Sequence, residues 1–160
     1  MKSFLKQFLL TILVLLLQVT LLNYFSFGKY LDLLLITIFF LIFFSDYRNA
    51  KNLYLIAFFG GIVSDLFSGY PLGAKTFLYL VFCFLLLFFL KNILRSITPS
   101  VFILLLISSL LLFEIAKNGF FIALGIEKTF SILVVYRILI NISLAIMITF
   151  FARNRLFSKR

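Results

Sequence analysis

Six apolar runs follow one another along this 160-residue chain, at positions 4–27, 31–44, 53–68, 72–90, 99–124 and 130–152. Most of the charge lies between them. A bilayer crossing takes about 20 predominantly apolar residues, so these runs set the architecture before any single residue is weighed. They predict an all-α integral membrane protein, with six transmembrane helices in one bundle and a single transmembrane domain over residues 1–160. At 64% hydrophobic and 12% charged residues, the composition lies far outside the soluble range. No stretch reads as a separate soluble domain. The second run is shorter than ideal. The first follows Lys2 and contains Lys6, as a signal peptide would. It is long, however, and Tyr24-Phe25-Ser26-Phe27 is too bulky for a cleavage site, so an uncleaved helix is expected.

The net charge of +10 would suit a nucleic-acid binder, but the basic residues sit between apolar runs and form no hydrophilic face. With a cytoplasmic N-terminus, one side carries Lys2, Lys6, Arg48, Lys51, Lys91, Arg95, Arg153, Arg155, Lys159 and Arg160. The other carries Lys29, Lys75 and Lys128. Ten against three in short loops is a positive-inside signal, and it predicts both termini on the cytoplasmic side. The chain has no histidine and one cysteine, Cys83. An intrachain disulfide, a cysteine metal site and a histidine base are thereby excluded. No glycine-flanked serine or matched pair of mid-membrane aspartates stands out, so no enzyme, cofactor or metal is expected.

One stretch combines features found nowhere else in the chain: Phe58-Phe59-Gly60-Gly61-Ile62-Val63-Ser64-Asp65-Leu66-Phe67-Ser68-Gly69-Tyr70-Pro71-Leu72-Gly73. Ala57, Gly61, Ser64 and Ser68 share one helical face, and small residues allow close helix approach in lipid. Gly69 suits the left-handed position that ends a helix, and Pro71 the first turn of the next. Asp65 near a helix C-terminus is disfavoured by the dipole and by nearby lipid, so it needs a partner or water. The face and its turn are expected to meet a partner protein, or to pack internally against the fourth or sixth span.

Charges inside the last two spans form a second candidate group. Glu114, Lys117 and Asn118 fall in the fifth, Arg137 and Asn141 in the sixth. Intramembrane charges of this kind mark function by default. Together with Asp65 the charged members sum to zero, which suggests a paired cluster of Asp65, Glu114, Lys117 and Arg137. Its role is either to fix helix register, to bind a ligand, or to contact a partner. Lys75 and Lys117 also have the length to snorkel outward. Thr98 reads as an N-cap with Pro99 at the first helical position, and the fifth span should stop at Gly125.

The segment running from Leu31-Asp32 through the basic loop Arg48–Lys51 to Asp65, Ser68, Gly69, Pro71, Leu72 and Gly73 resembles the rod shape-determining protein MreD family. Members of that family tend to carry a Gly-rich helix running into an Asp and then Ser-Gly-x-Pro-Leu-Gly. Leu31 stands where a Pro often precedes the first Asp, and Ser64 where a Gln often precedes the second. The resemblance implies a non-enzymatic, multi-pass protein of the bacterial inner membrane. It would work with an MreC-like protein, MreB, RodA and a class B penicillin-binding protein in peptidoglycan synthesis and rod-shape maintenance. The fold also looks like the substrate-binding membrane subunit of a vitamin transporter, which makes small-molecule binding the alternative. The absence of Ala and Gly from the first span before Gly28 disfavours it.

Overall fold

A computed structural model of the chain describes residues 2–20, 31–44, 50–68, 71–92, 99–125 and 132–157, and every regular element among them is an α-helix. In order these are α1 (Lys2–Thr20), α2 (Leu33–Phe44), α3 (Ala50–Ser68), α4 (Ala74–Asn92), α5 (Pro99–Ala123) and α6 (Ile132–Phe157). Four hold stretches long and apolar enough to cross a membrane: Ala50–Ser68, Ala74–Asn92, Val101–Ala123 and Leu133–Phe150. This is the make-up of an all-α membrane protein. The 12 residues of α2 reach only about 18 Å at 1.5 Å per residue, short of the roughly 30 Å hydrocarbon core.

Helix ends differ from the apolar runs where charge alone does not stop a helix. α3 starts at Ala50 and takes in Lys51 and Asn52. α6 continues through Arg153 and Arg155 to Phe157, so the basic segment expected to be a tail is helical over its first part. Arg and Leu are good helix formers, and no Gly or Pro interrupts them. α4 begins at Ala74, which leaves Pro71 in the preceding turn and corrects its expected place in the helix. α5 begins at Pro99, where the missing N–H carries no penalty. It ends with Gly125 at φ 72°, whose N–H donates to Ile122 C=O at 2.9 Å, a left-handed C-cap. Gly69 and Thr98, expected to end and to begin helices, lie outside the described residues.

The chain divides into two compact units, Met1–Arg95 and Ser96–Arg160. In the first, α3 and α4 pack closely as a hairpin, and α1 and α2 lie against it. The buried positions of α3 are Leu53, Ile56, Ala57, Gly60, Gly61, Ser64 and Asp65, a stripe at helical spacing. Its two adjacent glycines serve different neighbours. A Cβ at Gly60 would come within 2.9 Å of a Leu34 methyl on α2; one at Gly61 would come within 2.5 Å of the Thr76 Cα on α4. The second unit is the pair α5 and α6, packed on each other.

Candidate functional site

The close approach at Gly61 sets the geometry around Asp65, one turn further along the same face of α3. A helix starts with four N–H groups that have no partner within it. Gly73 occupies the N-cap of α4 and has no side chain with which to cap it. Asp65 supplies the missing acceptor from α3. Its Oδ2 accepts the Gly73 N–H at 2.9 Å, the Thr76 N–H at 3.2 Å and the Thr76 hydroxyl at 2.7 Å, while Oδ1 accepts the Lys75 N–H at 2.9 Å. The remaining N–H, of Ala74, donates to Pro71 C=O at 3.1 Å. That closes a turn with Gly73 at φ 95°, as the third residue of a type II turn requires. All four groups are therefore satisfied, and the carboxylate is 1% exposed. Lys75 Nζ donates to Ser64 Oγ at 3.4 Å, and Ser68 Oγ donates back to the Asp65 carbonyl at 3.3 Å.

A second aspartate is tied to the same helix. Asp32 is the N-cap of α2: its Oδ1 accepts the Leu35 N–H at 3.2 Å and its carbonyl the Ile36 N–H at 3.3 Å. The Tyr79 hydroxyl, one turn beyond Thr76 on α4, donates to Asp32 at 2.8 Å and 2.9 Å from its two oxygens. Gln18 of α1 completes the group. Its amide donates to Leu31 C=O, and its carbonyl accepts the Leu34 N–H, both at 3.3 Å. Four helices thus meet at one end of the first unit through polar side chains, with Thr76 and Tyr79 of α4 reaching the two carboxylates.

Sequence reasoning did not find the Asp32–Tyr79 contact. Two signals pointed to it. An aspartate directly before an apolar helix is an N-cap candidate, and the Tyr79 hydroxyl inside an apolar helix needs a buried partner.

The expected charge cluster draws its members from both units, and each unit arranges its own members separately. Asp65 belongs to the first unit, where α4 holds it. In the second unit, Phe102, Leu106, Leu110, Phe113, Glu114, Lys117, Asn118 and Phe121 of α5 are all buried, and their spacing places them on one stripe. Lys117 Nζ pairs with Glu114 Oε1 at 2.6 Å and lies 5.6 Å from the centre of the Phe113 ring. Lys117 is only 6% exposed; it does not snorkel. Side chains on a helix lean toward its N-terminus, and in α5 that direction leads from Lys117 back onto Glu114 and Phe113. The Asn118 amide donates to Glu114 C=O at 2.7 Å, and the Asn141 amide to Arg137 C=O at 2.9 Å. Arg137 forms no ion pair with Glu114. Its Nε and Glu114 Oε2 are each buried without a hydrogen-bond partner. The expected Arg137–Glu114 pair is thereby corrected: Glu114 is engaged by Lys117 along its own helix.

The small face of Ala57, Gly61 and Ser64 is buried, with α4 seated at Gly61. Among the described residues at this end, Leu66, Phe67, Pro71 and Leu72 are exposed. Among the described residues, no three His, Cys, Asp or Glu side chains gather as a metal site would require. No family model, curated protein or solved structure matches the chain.

Proposed function

We propose that this chain is a non-enzymatic scaffold of the MreD type. In this reading it crosses a bacterial inner membrane six times with both ends cytoplasmic. It helps position peptidoglycan synthesis during elongation, with an MreC-like protein as direct partner and MreB, RodA and a class B penicillin-binding protein in the same assembly.

The observation that supports the reading is the use made of Asp65. The residues that carry the resemblance, Asp65, Pro71 and Gly73, are the ones that fasten the start of α4 to the end of α3. A carboxylate holding four donors positions a helix hairpin. A rigid hairpin tip is what a scaffold offers a partner. Since α4 already covers the small face of α3, the partner is assigned to the outward side of that tip: Leu66, Phe67 and Leu72, each more than half exposed.

Alanine at Leu66, Phe67 and Leu72 together tests this. The variant should reach the membrane at wild-type level, lose the MreC-like protein in a detergent pull-down, and leave cells that depend on it round. Full retention of both the partner and the rod shape would remove the hairpin tip as the contact.

A further inference from the structure

The second unit carries a charge imbalance. Its buried stripes hold Lys117 and Glu114, which neutralise each other at 2.6 Å. Among the described residues of this unit Arg137 meets no counter-charge, and its Nε is buried without a partner. A lone cation in or near hydrocarbon costs several kcal/mol unless an anion meets it.

Three features describe the anion that fits. The first is depth. Arg137 lies five residues into α6, about 7.5 Å from its start at 1.5 Å per residue. The second is direction. Side chains lean toward the helix N-terminus, which is the nearer end of α6 for Arg137 and the farther end of α5 for Lys117. The third is access. Arg137 is half-buried, between buried Val134 and Asn141 on one side and exposed Leu133, Tyr136 and Leu139 on the other. A group that reaches it from the bilayer meets it at the edge of the helix pair. The chemistry is a headgroup phosphate whose single negative charge no ammonium of the same lipid offsets, which a guanidinium binds through paired N–H donors.

We propose that the α5–α6 unit binds the phosphate of an anionic phospholipid at Arg137. The site rests on the membrane embedding of the chain and stands whether or not the scaffold reading holds.

The test uses the full chain in nanodiscs. Phosphatidylglycerol against phosphatidylcholine provides the ligand contrast. Native mass spectrometry reads the lipid retained, and thermal unfolding reads stabilisation. Wild type should retain phosphatidylglycerol and unfold at a higher temperature with it than with phosphatidylcholine. Arg137→Gln should weaken retention roughly tenfold or more, the value of one charge-assisted hydrogen bond. Arg137→Lys should fall between the two. Glu114→Gln removes a negative charge and should leave retention equal or higher.

Equal retention of the two lipids by wild type overturns the proposal, as does unchanged retention by Arg137→Gln. A stabilisation matched by inorganic phosphate in phosphatidylcholine nanodiscs overturns the lipid assignment in favour of a free anion. Should Arg137→Gln fail to fold, the wild-type contrast between the two lipids decides.

Discussion

A carboxylate in the last turn of a helix lies among carbonyls that point at it, and Asp65 sits in the last turn of α3. The penalty reaches about 2 kcal/mol at a buried position of this kind. Against it stand four hydrogen bonds to one carboxylate, each of the kind worth about 1.5–3 kcal/mol, together with a favourable location at the start of α4. The bonds win by a wide margin. Asp65→Asn retains one acceptor oxygen and turns a donor toward donors. It should lower stability by about 2 kcal/mol or more, and Thr76→Val, which removes a single hydroxyl, by about 1 kcal/mol. Thermal unfolding in detergent reads both, and a midpoint for Asp65→Asn equal to wild type would show that the cap contributes nothing. The need of Asp65 for a partner was legible in the sequence, since charge, dipole and lipid all demand one. The partner's identity was not. It depends on the turn at Pro71–Gly73 folding the next helix's N–H groups back onto the previous helix, which is a property of backbone geometry. The same limit hid Tyr79, whose contact with Asp32 spans 47 residues of sequence.

Helices are placed by periodicity, and their neighbours by what the backbone can approach. The buried stripe of α3 was visible as small residues recurring on one face, but the pattern left open whether α4 or another protein would cover it. Gly60 and Gly61 show how the choice is written into the structure. At Gly60 the obstacle to a side chain is a Leu34 methyl at 2.9 Å, the end of a flexible side chain that has room to rotate. At Gly61 it is the Thr76 Cα at 2.5 Å, and backbone can move only if α4 moves. Separating the helices at that point would also draw the Thr76 and Lys75 N–H groups away from Asp65. Gly61→Ala is therefore expected to cost several times more stability than Gly60→Ala, with Gly60→Ala at about 1 kcal/mol and Gly61→Ala at 3 kcal/mol or above, in the range of overpacked cores. Folded yield and unfolding midpoint of the two variants, measured side by side, check the order. A Gly61→Ala protein as stable as Gly60→Ala would mean that the approach of α3 and α4 is looser than the geometry requires. The length of Lys117 favours snorkelling, but the lean of side chains toward the start of α5 carries it onto Glu114 instead.

Across the whole chain, the basic residues at helix ends define an orientation. Within the α3–α4 hairpin, Lys51 stands in the first turn of α3 and Lys91 in the last turn of α4, so both mark one end. The other end holds Asp65 and Lys75, whose charges balance. The same asymmetry runs through the sequence as ten basic residues against three, which under the positive-inside rule predicts that the Lys51–Lys91 end faces the cytoplasm. The composition announced the all-helical class. The number of crossings is harder to read: α2 is only 12 residues long, and a helix of that length spans the hydrocarbon only where the bilayer thins or flanking residues extend it. If α2 crosses, six spans return the C-terminus to the side of the N-terminus. If it does not, the two ends lie on opposite faces while the α3–α4 hairpin keeps its orientation. Alkaline phosphatase fused at Arg160 should be inactive, and fused after Glu127 active, because the enzyme folds only outside the cytoplasm. A third fusion, after Lys29, separates the cases. Activity there together with an inactive Arg160 fusion requires α2 to cross. An inactive Lys29 fusion beside an active one in the segment 69–71 would keep α2 on the cytoplasmic side and reduce the count to five or fewer.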